Sequence, residues 1–350
     1  MVFSAKHVIG YLWLVMLAAG CASRAVEKPI DLVWPNPPET PRIKYLRSFS
    51  NANEFGNSGS TVLAFLFGDE SSGTMAKPYG VATSQDGKVY VADSGQGLVW
   101  IFDEKNKKVS FLGTSGQGKL IQPIGVAVDK RGVVFVSDVK LNRVYGFDRE
   151  GNLAISIGRK NEFANPSGLA VNRASDRLYV ADPRGHRIRV YNCADGKFMF
   201  EFGTRGEKDG ELNFPTNLYV HKGRIYVSDS GNFRIQIFDL EGKFLNKFGT
   251  VGDRPGQLAR PRGVAVDSEG HIYVVDAAFD NFQIFDDKGR VYLFVGAAGH
   301  RPGYFWLPAG IHIDEEDKVY VVDSYNRRVQ VFQYLGEKYR AKIAQTKPAP

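Results

Sequence analysis

The stretch Tyr226-Val227-Ser228-Asp229-Ser230-Gly231-Asn232-Phe233-Arg234-Ile235-Gln236-Ile237-Phe238-Asp239 decides the fold. It reads as two short strands with period-2 alternation, each ending in Asp, joined by a turn rich in Ser, Gly and Asn. A near-copy runs from Tyr320-Val321-Val322-Asp323 through Asn326 and Arg328 to Val329-Gln330-Val331-Phe332, and four weaker copies end their first strand at Asp93, Asp138, Asp182 and Asp276. Upstream of each copy stands a proline: Pro78, Pro123, Pro166, Pro215, Pro261 and Pro308, at intervals of 43 to 49 residues. Five of the six open a Pro-x-Gly-apolar pattern; the fourth has Asn217 in the glycine's place. Downstream, a further alternating strand runs into Gly, as in Phe198-Met199-Phe200-Glu201-Phe202-Gly203. Four short strands in a period of about 40–50 residues mark a β-propeller blade. One blade cannot bury both faces of its sheet, but six packed radially can. The 350 residues, which length alone would divide in two, are therefore expected to form one all-β, six-bladed propeller.

A strand ending in Asp, then Asn at +3, Arg at +5 and Ile-Gln-Ile-Phe, resembles the NHL repeat. Asp229/Asn232/Arg234 and Asp323/Asn326/Arg328 match it fully, and Asp138/Arg143 and Asp182/Arg187 keep its two charged positions. The first unit departs at Gln96 and Leu98, the fifth at Phe279 and Asn281. The resemblance covers residues 77–333 and implies four-stranded blades that serve as an interaction platform.

The sixth unit has no clear fourth strand after Phe332. Ile43-Lys44-Tyr45-Leu46-Arg47-Ser48-Phe49 resembles the other fourth strands, so 43–49 is expected to complete that blade and hide an open edge. Residues 50–74 then form an insertion, whose apolar run Thr61–Phe67 is a rival closing strand, as is the carboxy-terminal tail. The propeller thus spans 43–335, with repeats from residue 77 and a polar tail at 336–350.

Ahead of it, Lys6 and His7 precede the 12-residue apolar run Val8–Ala19, too short to span a bilayer and of the length of a secretory signal. Leu17-Ala18-Ala19-Gly20-Cys21 is similar to a bacterial lipobox, which implies a signal peptide at 1–20, lipidation at Cys21 and membrane attachment through that lipid. Ala22 after the cysteine implies the outer membrane, periplasmic or surface. Residues 21–42, with Pro29, Pro35, Pro37, Pro38 and Pro41, read as an extended tether.

Composition excludes several classes. With 43% hydrophobic and 24% charged residues, 38 Gly and 16 Pro, the chain is neither collagenous nor disordered. Two cysteines exclude a disulfide scaffold, and with Cys21 lipidated, Cys193 is an incidental thiol. The net charge of +7 permits acidic partners without demanding nucleic acid, and the secretion signal argues against nucleic acid.

No catalytic residue is assigned. The repeated Asp93, Asp138, Asp182, Asp229, Asp276 and Asp323 invite a catalytic or metal reading, but a single site needs no sixfold copying, and Asp before a turn bonds nearby backbone N–H groups. The histidines show no zinc spacing. No cofactor is expected. A central divalent cation such as Ca, held by Asn165, Asn217 and Asp314, belongs to an alternative in which the chain is a metal-dependent lactonase-like hydrolase or lyase.

Ligand reading is instead expected on one face, where residues beside the constant Pro, Gly and Asp vary: Lys77, Tyr79, Asn165, Asn217, Arg260 and Arg262 around the channel mouth, and Lys140, Arg184, Tyr325 and Arg327 outside them. The function expected is a monomeric protein- or peptide-binding scaffold of the bacterial envelope, whose cationic positions suit an acidic partner. A carbohydrate sensor using Tyr79, Tyr304, Trp306 and Tyr325 is the third reading.

Overall fold

Strands that begin at the repeat proline open five of the six sheets, and neighbouring strands in every sheet are antiparallel. The structure is a computed structural model that describes residues 31–55, 73–159 and 161–346. The expected signal peptide, Cys21 and the Thr61–Phe67 run lie outside the described residues. Every described strand belongs to the unit Leu32–Pro350.

Strands β1 (Val33–Trp34) and β2 (Ile43–Phe49) come first. Blade one holds β3 (Pro78–Thr83), β4 (Val89–Asp93), β5 (Leu98–Asp103) and β6 (Lys108–Leu112). Blade two holds β7 (Pro123–Val128), β8 (Val134–Asp138), β9 (Arg143–Phe147) and β10 (Leu153–Ile157). Blade three is β11 (Leu169–Asn172), β12 (Arg177–Asp182), β13 (Arg187–Asn192) and β14 (Phe198–Phe202). Blade four is β15 (Pro215–His221), β16 (Arg224–Asp229), β17 (Arg234–Asp239) and β18 (Phe244–Phe248). Blade five is β19 (Pro261–Val266), β20 (Ile272–Asp276), β21 (Asn281–Phe285) and β22 (Val291–Val295). Blade six combines β23 (Pro308–Ile313), β24 (Lys318–Asp323) and β25 (Arg328–Tyr334) with the amino-terminal strands, in the order β1-β2-β25-β24-β23.

The expected closing strand is therefore 43–49: Tyr45 opposes Phe332 and Phe49 opposes Val329. The inner strands β3, β7, β11, β15, β19 and β23 pack around the channel, with β23 returning to β3. They approach so closely that a side chain at the Pro-x-Gly glycine would collide with the next blade. A Cβ on Gly80 would lie 2.3 Å from the Ile124 carbonyl oxygen, and one on Gly125 2.2 Å from that of Ser167. Six apolar clusters fill the six gaps between blades, which is why no blade could stand alone.

Two expectations at the chain ends need correction. Residues 32–42 are not a free tether. Val33 and Trp34 pair with Lys44 and Ile43 as a fifth strand, and the Trp34 ring meets Phe332 edge-on at 5.8 Å. Five prolines suggested extended solvated chain, but extended backbone is also what an added edge strand needs, and Leu32 and Trp34 supply an apolar reason to dock. The tail, read as merely polar, forms helix α1 (Glu337–Thr346), entered through bonds from Leu335 N to Arg42 O and from Glu337 N to Glu269 Oε1.

At the same junction, His271 pairs with Asp267 at 2.9 Å, stacks on Tyr292 at 5.0 Å and meets Tyr334 at 5.5 Å. The Asp267 hydrogen bond, opposed by burial, raises the imidazole above its ordinary value. A raised folded value stabilises fully below the unfolded value of about 6.5, and that contribution disappears as pH rises through the folded value. The stability difference between wild type and His271→Gln, measured by urea unfolding, should thus be largest near pH 6 and shrink toward pH 8. A pH-independent difference would sink the assignment.

Candidate functional site: the channel and its two faces

The register fixes which residues share a face. Pro78 opposes Asp93, Pro123 Asp138, Pro215 Asp229, Pro261 Asp276 and Pro308 Asp323. Prolines and repeat aspartates therefore lie at one end of the propeller, here the Pro face; the hairpins joining first to second strands form the opposite, turn face.

All six aspartates are fully buried and their carboxylates are committed. In blade one, Asp93 accepts from the backbone N–H groups of Ala76, Lys77, Gly95 and Gln96, tying the loop before the inner strand to the turn after the second. In the two units that match the repeat fully, side chains join in. Asp229 Oδ2 accepts from Asn232, Arg234 and Gln236 at 2.8, 2.8 and 3.0 Å. Arg234 then donates onward to the carbonyls of Glu207, Lys208 and Glu211. Asp323, Asn326, Arg328 and Gln330 repeat the arrangement. Blade five shows what the departure costs: Asn281 stands at the Arg position and its buried Oδ1 has no partner. This network is loop architecture.

Of the ten residues expected to read a ligand, Lys77, Lys140, Arg184, Arg260, Tyr325 and Arg327 are exposed on the Pro face. None of these five cations forms an ion pair with a described residue. The inner positions are used otherwise. The Arg262 guanidinium donates to the Tyr79 hydroxyl, bridging blades five and one across the ring. Asn217 accepts from Leu218 N at 2.8 Å, and the Asn165 backbone N–H donates to Asp182. Beside Tyr325 the aromatic residues gather: Trp306 lies 5.7 Å from the Tyr325 ring and 5.0 Å from His300, with Tyr304 exposed nearby in sequence.

The proposed cation ligands Asn165, Asn217 and Asp314 do not converge. Asn165 and Asn217 lie toward the Pro face, whereas Asp314 caps a turn-face hairpin, accepting from Glu316 N, Lys318 N and Tyr320 Oη. Those three residues do not fit a shared metal, and no three His, Cys, Asp or Glu of the described residues group as one would require. Cys193 is buried and free, and burial pushes its thiol up to about 12, which leaves it protonated and unreactive.

What the sequence reading missed is the channel wall. A cavity of about 920 Å³ runs along the inner strands to the turn face. At the fifth residue of the inner repeat, four blades place Ala82, Ala127, Ala170 and Ala265, but blades four and six place Tyr219 and His312. Tyr219 donates from its hydroxyl to Ile313 O at 2.9 Å, and its ring meets His312 edge-on at 6.0 Å. The imidazole Nε2 lies 2.9 Å from Thr83 Oγ1 of blade one. Burial, with the Arg173 charge adding to it, pushes His312 down to about 3, so it is neutral at physiological pH. Arg173, from blade three, crosses the mouth to Glu315 of blade six at 3.0 Å. The departures from alanine were visible in the sequence; their meeting was not.

The architecture is an all-β six-bladed propeller built from NHL-type repeats. A family model described as a 6-bladed beta-propeller matches residues 206–282 and 267–344, and an NHL-repeat model matches 163–191. Over 114 residues, 32% of this chain, the sequence is 33% identical to Protein brain tumor of Drosophila melanogaster, and the match spans 10% of that protein. An auxiliary nutrient binding protein from Bacteroides thetaiotaomicron superposes with a TM-score of 0.59 at 16% identity, over 76% of this chain and 71% of that one. Virginiamycin B lyase from Staphylococcus aureus does so with a TM-score of 0.57 at 12% identity, over 83% and 99%. At such identities the likeness shows a shared fold.

Proposed function

We propose that this propeller is a lipid-anchored extracytoplasmic binding protein of the bacterial envelope that holds an acidic protein or peptide segment on its Pro face. One observation carries the reading: exposed Trp306, Tyr325 and Tyr304 share that face with the cations Lys77, Lys140, Arg184, Arg260 and Arg327, none ion-paired with a described residue. Trp, Tyr and Arg are the residue types in which binding energy concentrates at interfaces. The cations would steer an acidic segment to the face and bind its carboxylates, while the aromatic cluster anchors it. The repeat aspartates have no spare oxygen for catalysis, which favours binding over chemistry. The similarity in fold to a nutrient-binding protein supports a binding role without naming a ligand.

The test is recovery of envelope partners on immobilised wild type and variants. Trp306→Ala with Tyr325→Ala should weaken capture by about 30-fold, the effect of losing some 2 kcal/mol at a hot spot. Arg260→Glu with Arg327→Glu should weaken it further at low salt than at high, whereas Lys243→Glu on the turn face should not. Losses that are equal on both faces, or absent on both, would remove the Pro face. Cys21→Ser tests the anchor independently, and unchanged membrane retention would remove that part of the reading.

A further inference from the structure

Toward the turn face the channel wall carries polar side chains that differ from blade to blade, among them Thr83 from blade one, Arg173 from blade three, Tyr219 from blade four and His312 from blade six. They converge at the turn-face half of a cavity whose volume, about 920 Å³, lies within the range of small-molecule sites. A concave wall with convergent polar groups is what such sites present.

The Arg173–Glu315 contact bears on what the cavity takes. It is a single N–H···O contact, with the Arg173 side chain 32% exposed and that of Glu315 70% exposed. Exposed pairs of this kind contribute little, so the partner is readily exchanged. The other Arg173 contact, Nη2 to Thr83 O at 3.4 Å, is long. The guanidinium thus sits at the cavity mouth with its donor fork incompletely used. The neighbouring acids do not compete for it: Asp314 caps its own hairpin, and Asp317 accepts from Ser268 N and Oγ.

We propose that the channel is a second binding site, separate from the Pro face, for a small organic monocarboxylate. Arg173 receives the carboxylate in place of Glu315, and Thr83, His312 and Tyr219 offer hydrogen bonds to a hydroxyl on the ligand body. Lys222, Lys318 and Lys338 also line the cavity, the first and last held on the Ser268 and Glu315 carbonyls, while Glu315 and Glu316 oppose the second charge of a dianion such as phosphate. The inner-strand valines and isoleucines set an apolar body for the remainder of the ligand.

The experiment is titration calorimetry on the full-length protein with lactate and 2-hydroxyhexanoate, each beside its uncharged amide and with inorganic phosphate, at constant ionic strength. At least one acid should bind saturably, and its amide and phosphate at least tenfold more weakly. Arg173→Gln should weaken the acid tenfold or more. Glu315→Gln, which frees the guanidinium, should tighten it severalfold, so the proposal does not depend on a single variant that loses a contact. Lys243→Glu, in the outer hairpin between β17 and β18, should leave it unchanged. The proposal is overturned if neither acid binds below about 10 mM, if amide or phosphate binds as well as the acid, or if Glu315→Gln weakens binding.

Discussion

A chain that begins at residue 50 is expected to aggregate rather than give a monomeric propeller. Removing β2 strips the outer partner from β25, whose Val329, Val331 and Phe332 are fully or almost fully buried, and leaves a long apolar edge ready to pair with another chain. It also removes Ile43, Tyr45 and Phe49 from the clusters on both sides of blade six. Burial of each large side chain is worth about 1.5–3 kcal/mol against a total stability of about 5–15 kcal/mol, so this loss alone approaches the whole. A chain beginning at residue 43 keeps β2 but loses β1 and the Trp34–Phe332 contact, and should melt several degrees below one beginning at residue 32. Circular dichroism melts and size exclusion would check the series. Equal melting of the chains starting at 32 and 50 would show that another segment closes the ring.

The second large effect belongs to Asp229. Asp229→Ala removes the acceptor that satisfies Asn213 N, Asn232, Arg234 and Gln236 together, and leaves the buried Arg234 guanidinium without its counter-ion. Breaking a buried, hydrogen-bonded ion pair from one side costs about 3–5 kcal/mol. The fall should be seen as an earlier urea midpoint with little change in slope. Asp229→Asn should cost less, because its oxygen still accepts, and adding Arg234→Met to Asp229→Ala should recover part of the loss by removing the orphaned charge. A double variant no better than the single one would show that the carboxylate's bonds to backbone and amides, rather than the ion pair, carry the energy.

The sequence by itself determined the blade count and the strand order within blades, placed the repeat aspartates before turns, and offered 43–49 as the closing strand beside two rivals. The physical reason is redundancy. Each blade solves the same packing problem, so Pro, Gly and Asp recur at one interval, and a missing fourth strand at one end matches a spare strand at the other. Even the Pro-x-Gly glycines were legible, although the reason for them, inner strands too close for a Cβ, belongs to the assembled ring. The chain ends were misread because local composition was the only guide there. Prolines look alike in a tether and in an added edge strand, and only the docking of Trp34 against Phe332 separates the two. The channel was decided by tertiary structure alone. Thr83, Arg173, Tyr219 and His312 lie in four different repeats, up to 229 residues apart, and no periodicity connects them. Closing the ring brings those four side chains to one cavity, and it turns two departures from alanine into a wall with chemistry.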